Sequence, residues 1–307
     1  MAQPPPTLSD LATSWGYELE PPAYKKSTGR LYLTVLAGFR AYIADTGRPD
    51  PPARDISPDD IRRWGTHRAT TGHGRAGGNI SGTTLNLEHR ALKSMFSWAA
   101  REGDIASNPM SNVRAPRPTE RPVEVLTAAD YAALLATTTN GRTFGHRRNE
   151  AILRFLWATG CRLGEVAHLR VEDVDLPEKL ARVTGKGDIE RVVAFDNSAR
   201  RAMDRYIRAR NSHPRAASGD LWLGPKGALT ESGVYQVVRD ASAACGVKAH
   251  PHQFRHSSAH NQLAAGMPEN AVMALHGWKT PRMLARYGAT RRHERAVADY
   301  RTRMDGH

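Results

Sequence analysis

Four short stretches of this chain carry side chains suited to a phosphate diester. Residues 158–165 read Ala-Thr-Gly-Cys-Arg-Leu-Gly-Glu and contain Arg162 and Glu165. Lys186 stands in Thr-Gly-Lys-Gly-Asp, and residues 252–256 read His-Gln-Phe-Arg-His, with Arg255 between His252 and His256. Residues 275–278 read Leu-His-Gly-Trp, and Tyr287 follows nine positions after Trp278. A guanidinium presents a planar fork of N–H donors that fits phosphate oxygens. Two of them can neutralise the charge that grows as a phosphorus centre becomes five-coordinate. Tyrosine is a competent nucleophile once a base takes its proton, because a pKa near ~10 leaves about one phenol in a thousand ionised at neutral pH. Two arginines, a lysine, a histidine and a tyrosine therefore form a coherent set.

Taken singly, each of these residues has an ordinary structural reading. An arginine beside a helix end is a solvated or capping group. A lysine at a turn tip is exposed, a tryptophan packs, and a tyrosine anchors a helix. As a set they are candidates for chemistry at a phosphate diester, to be checked by geometry. The chain has eight lysines among 44 basic residues, so a lysine at the tip of the turn is a less casual choice. A competing constellation is His252, His256 and His260, which recur with a spacing of four on one helix face. A zinc-protease helix needs Glu directly after its first histidine, and position 253 is Gln. No metal site or other cofactor is expected.

These residues must be held by a particular set of elements. Thr127-Ala-Ala-Asp130 is a capping box before an apolar helix. Residues 149–158 form a second helix, closed by Gly160. Residues 180–183 and 189–195 alternate as strands and make a hairpin with Lys186 at its tip. Asp196 caps an Arg-rich helix running to about Arg210, and four helical segments follow at 230–244, 252–265, 268–276 and 281–287. The preceding part reads as helical at 30–43, at 57–64 behind Ser57-Pro58-Asp59-Asp60, and at 84–98. The glycine-rich stretch 72–82 lacks a Gly-Lys-Ser/Thr ending and reads as a loop, not a phosphate cradle. Between the two parts, residues 108–122 hold four prolines and no apolar period. The expected organisation is a helical domain over 1–108, a proline-rich linker over 109–122 and a mixed domain over 123–307. The fold class is mainly α with a small antiparallel β-sheet.

The charge balance points to a polyanion. Forty-four Lys+Arg stand against 31 Asp+Glu in 307 residues, giving a net charge of +13. Both sides of the linker carry a basic excess. Lys25, Lys26, Arg62, Arg63 and Lys93 in the first part, and the helix at 200–210 in the second, are the candidate nucleic-acid contacts. The apolar runs fall short of the ~20 residues a membrane span requires. Residues 1–10 lack the features of a secretory signal, and two cysteines cannot build a disulfide framework. A cytoplasmic, nucleoid-associated protein with no membrane contact is expected.

The chain resembles the tyrosine recombinases of the phage integrase family. Thr159, Gly160, Arg162 and Glu165 fit its first box, and His252, Arg255 and His256 fit its second. The third box reads Leu-His-Gly-Trp, with Trp278 standing where a histidine is more frequent and Gly277 in register. Asn108-Pro109 fits the linker. The resemblance implies a SAM-like helical core-binding domain followed by a mixed α/β catalytic domain of the simple two-domain type. It implies that Tyr287 attacks the scissile phosphate, that Arg162 and Arg255 hold its oxygens, and that Trp278 donates an indole N–H. His252 would accept the phenol proton and Lys186 would protonate the departing 5′ oxygen. Glu165 would orient a cation. The product would be a 3′-phosphotyrosyl link, made without metal or ATP, on double-stranded attachment sites. Partners would be further copies of the chain in a tetrameric synapse, with the terminal stripe Val297, Tyr300 and Met304 docking in trans, and an accessory directionality factor. The activity would serve integration, excision or multimer resolution. A type IB topoisomerase shares the chemistry, and an architectural DNA-binding protein shares the charge; box spacing and the helical first part favour recombination.

Overall fold

The computed structural model describes residues 4–71, 79–117, 124–185, 187–281, 284 and 304. The chain divides into two units, Met1–Arg121 and Pro122–His307.

The first unit is helical. α1 (Leu8–Glu18) begins at a reciprocal cap in which Thr7 and Asp10 satisfy each other's backbone N–H. α2 (Lys26–Asp45), α3 (Pro58–Thr71) and α4 (Gly82–Glu102) follow. Ser57 and Asp60 cap the start of α3 in the same way as Thr7 and Asp10, at 3.2 and 2.9 Å. α4 ends at Gly103, whose φ of 84° lies in the left-handed region that glycine enters without cost. The apolar stripes meet in a core around Phe39, whose ring stands edge-on to Trp64 and Phe96. α1 was not expected, although Leu8, Leu11, Trp15 and Leu19 recur along one face and are buried. α3 runs seven residues past Trp64 because Arg68 pairs with Glu88 of α4 through two hydrogen bonds, at 2.6 and 3.1 Å. Asn108 donates to Ser97 and accepts from the Met110 N–H, and Asn86 donates to the Pro116 carbonyl, so residues 108–116 lie against α4.

The second unit is mixed. α5 (Ala128–Thr139) starts at the Thr127–Asp130 box, and α6 (Phe144–Thr159) ends at Gly160. α7 (Leu163–Ala167) leads to an antiparallel sheet of β1 (Val174–Asp175), β2 (Leu180–Thr184) and β3 (Glu190–Ala194), in that order. Ala181 pairs with Val193 and Thr184 with Glu190. Side chains alternate, so Ala181, Val183 and Val193 are buried while Val192 is exposed. Asp196 caps α8 (Asn197–Asn211), and a short pair, β4 (Leu223–Gly224) with β5 (Gly227–Ala228), precedes α9 (Glu231–Cys245). α10 (Pro251–Ala264) and α11 (Glu269–His276) close the described part. The core gathers Phe155, Tyr206, Trp222 and Phe254. The Tyr206 hydroxyl donates to the Leu221 carbonyl and accepts from the Leu223 N–H, which satisfies it inside an apolar setting. Mainly helical units with small antiparallel sheets are the fold class read from the sequence. No helix among the described residues is long and apolar enough to cross a membrane. Lys186, Tyr287, Val297 and Tyr300, residues 72–78 of the glycine-rich stretch and residues 118–123 of the linker lie outside the described residues.

Candidate active site

The end of α6 fixes the first box. Thr159 donates from its hydroxyl to the Phe155 carbonyl, Gly160 turns the chain with φ 60°, and Arg162 becomes the N-cap of α7. Glu165, three residues on, accepts the Arg162 backbone N–H at 2.7 Å and its Nη1 at 2.9 Å. One carboxylate thus caps a helix and holds a guanidinium whose head stays partly open to solvent. Glu165 itself is only 4 % exposed. Burial pushes its pKa up, but the Arg191 guanidinium and the Arg162 backbone outweigh that and hold it down at about 2.

Arg255, on α10, is 5 % exposed. Its Nη1 donates to the Gly160 carbonyl at 2.8 Å and its Nη2 to the His276 carbonyl. The second box is thereby tied to the first and the third. The guanidinium lies over the Trp278 ring, 5.3 Å from its centroid. Burial, and then the nearby positive charge of Arg162, draw its pKa down to about 10, so it stays charged at neutral pH. The bond to the Gly160 carbonyl, two residues before Arg162, places the two arginines in one neighbourhood, where an anion would relieve their repulsion.

Trp278 follows Gly277, whose φ of 61° ends α11, and stacks on His276 with centroids 4.8 Å apart. His276 is fully buried, and its Nε2 pairs with the Gln262 Oε1 at 3.1 Å. Burial and then Arg255 push its pKa down to about 3, so the ring is neutral and packs as the third box's structural member. A methyl group on Gly160 would sit 2.5 Å from His276 Cε1, so the first and third boxes touch where only glycine fits. Cys161 is buried beside this contact, and burial drives its thiol pKa up to about 11.

His252 is exposed at the first turn of α10, one turn from Arg255 on the same helix, with the His256 ring 6.3 Å away. Gln253 accepts the His250 backbone N–H at 2.9 Å. The residue that departs from the zinc-protease pattern is a helix cap. Among the described residues no cluster of His, Cys, Asp or Glu has metal-binding geometry. The β2–β3 pair is closed by Gly185 donating to the Ile189 carbonyl at 2.8 Å. A methyl group on Gly185 would lie 3.3 Å from Glu165 Oε1, so the strand end before Lys186 touches the same carboxylate.

Lys25, Lys26, Arg62, Arg63 and Lys93 are all exposed, with Arg62 paired to Asp59. The Arg-rich α8 is less available than its sequence suggests. Arg210 is buried and donates to the Asp220 carbonyl, Arg205 pairs with Glu150, and Arg208 pairs with Asp204. The residue that sequence reasoning missed is Arg191. It holds Glu165 through Nη1 and Nη2, both at 2.7 Å, and donates from Nε to the Leu275 carbonyl at 2.9 Å. Its signal was present: alternation on β3 puts Arg191 on the same face as the buried Val193.

The profile of the phage integrase family matches residues 124–294. The chain is 30 % identical over 263 residues to the tyrosine recombinase XerC of Mycobacterium sp. (strain JLS), covering 82 % of this chain and 84 % of that one. It is 26 % identical over 251 residues to XerC of Corynebacterium efficiens, covering 81 % and 78 %. Among solved structures, the Tn1549 transposon integrase in complex with circular intermediate DNA superposes with a TM-score of 0.73 at 18 % identity, covering 95 % of this chain and 99 % of that one. A lambda integrase dimer bound to a COC′ core site gives 0.72 at 17 %, covering 92 % and 77 %. At these identities the two structures speak for the fold. Fold and relatives together define the class, a tyrosine-type site-specific recombinase. The chain belongs to the phage integrase family.

Proposed function

We propose that this recombinase cuts and rejoins strands at double-stranded attachment sites through a covalent bond to Tyr287. The phenol oxygen attacks the scissile phosphorus, its proton passes to His252, and the P–O5′ bond breaks. Lys186 protonates the departing 5′ oxygen, leaving a 3′-phosphotyrosyl link and a free 5′-hydroxyl. Arg162 and Arg255 hold the non-bridging oxygens, Trp278 supplies an indole N–H, and Glu165 orients Arg162. Rejoining reverses the step on another strand, so neither ATP nor a metal enters the balance. A first domain over 1–108 grips the duplex through Lys25, Lys26, Arg62, Arg63 and Lys93, and the catalytic domain over 123–307 follows the linker at 109–122. Integration, excision and multimer resolution all use this chemistry.

One observation carries the reading. Arg255, a buried cation, is anchored to main-chain carbonyls of both other boxes and lies near a second guanidinium. Two guanidiniums held together repel, and a bound phosphate turns that cost into affinity for the transition state. Incubating the protein in EDTA with a nicked duplex of its own site should trap a covalent adduct whose phosphorylated peptide contains residue 287. A protein that binds this duplex but leaves no adduct, or one that the chelator silences, overturns the reading.

Active assemblies are expected to be tetramers of this chain on two sites, aided by a directionality factor in one direction. The dimer and tetramer architectures of lambda integrase on DNA support self-association. Removing the residues after Thr290 should abolish cooperative complex formation in gel-shift titrations while single-site binding persists. Undiminished cooperativity would rule out docking through that tail.

A further inference from the structure

Arginine on the inner face of a strand is uncommon, because a buried cation needs a close partner. Arg191 has one, and it belongs to the site. Both guanidinium nitrogens at its tip meet the two oxygens of Glu165, and Nε reaches the Leu275 carbonyl at the end of α11. The aliphatic stem runs beneath Gly277, where a methyl group would stand 3.3 Å from Arg191 Cδ. One side chain therefore spans β3, α7 and the turn before Trp278.

We propose that Arg191 is a positioning residue for strand cleavage: through Glu165 it sets the Arg162 guanidinium, and through the Leu275 carbonyl it sets the turn that presents Trp278. The inference rests on the functional reading above. Glu165 has both oxygens engaged and cannot rotate while Arg191 is in place. Without Arg191, the carboxylate keeps only the partly exposed Arg162 and its backbone N–H. A misplacement on the order of 1 Å in such a clamp costs roughly 10²-fold in rate. Because Gly185 abuts Glu165, the same lock also reaches the end of β2.

The test compares wild-type protein with Arg191→Gln, Arg191→Lys, Glu165→Gln and the double Gln variant. Single-turnover cleavage of the nicked duplex, binding of intact duplex and thermal melting are measured from about pH 5 to pH 8. Cleavage by Arg191→Gln should fall roughly 10–100-fold with DNA affinity within about twofold, and Arg191→Lys should recover part of the loss. The double variant should be no slower than the worse single one, because both act through one carboxylate. The pH profile separates positioning from simple support of the fold. The ionisable groups around Glu165 are Arg162, Arg191, Arg255 on α10, His276 at the end of α11 and Cys161 before α7. Burial keeps His276 and Cys161 neutral, so Glu165 is the member of this group that gains a proton on the acid side once Arg191 is gone. Relative to wild type, Arg191→Gln should therefore lose rate toward pH 5, and the double variant should not. Wild-type rate and profile in Arg191→Gln, or losses that multiply in the double variant and track the unfolded fraction, overturn the inference alone. Absence of adduct with wild-type protein overturns the functional reading and this inference with it.

Discussion

Arg255→Met is expected to lower single-turnover cleavage by about 10²–10³-fold or more while the catalytic unit keeps its fold. In the mechanism proposed above, the rate loss follows from removing a preorganised cation that would hold the phosphate as its charge develops. The retained stability follows from the opposite signs of two costs. The folded-state pKa of Arg255 lies below its ordinary value, at about 10. At neutral pH the folded state therefore carries an unfavourable charge, and that burden is relieved only as pH rises through about 10. Methionine removes the burden but leaves the Gly160 and His276 carbonyls without their donor. An unpaired buried acceptor costs about 1–3 kcal/mol. The two effects oppose, so Tm should move by no more than a few degrees, read by calorimetry beside the cleavage assay. A collapse of Tm would mean that the arginine chiefly supports the fold.

Glu165→Gln should do the reverse, harming stability as much as chemistry. Glutamine keeps the shape but leaves Arg162 and Arg191 without a counter-charge, and breaking a buried ion pair in this way costs about 3–5 kcal/mol. For a unit of this size that is a fall in Tm of roughly 6–20 °C near pH 7. The folded-state pKa of Glu165 is depressed, from 4.5 to about 2. Its contribution is thus complete above about pH 4.5 and is lost as pH falls toward 2, a window worth about 3 kcal/mol. Melting curves of wild type and variant should be far apart at pH 7 and converge near pH 2. Parallel curves across that window would assign the acid sensitivity to other carboxylates.

What the sequence discloses here depends on the kind of constraint. The segments carrying Arg162, Arg255 and Trp278 are legible as short motifs, and the structure packs those segments against one another. The capping pairs Thr127–Asp130 and Ser57–Asp60 are legible because a cap is a local bargain between neighbours. α1 went unread because prolines precede its start and Asp10, the partner of Thr7, reads as an ordinary acid. Arg191 went unread for a different reason. Its partners Glu165 and Leu275 lie 26 and 84 residues away, and only the tertiary fold joins them. The availability of Arg210 was misjudged likewise, since its partner, the Asp220 carbonyl, carries no side-chain signature.

α7 is five residues long, too short to persist as an isolated helix. The carboxylate that caps it is also the one that steadies Arg162. A nascent or partly denatured chain therefore lacks this helix and the fixed Arg162 guanidinium at the same time. The helix and the seat of that guanidinium are thus made and lost in a single event.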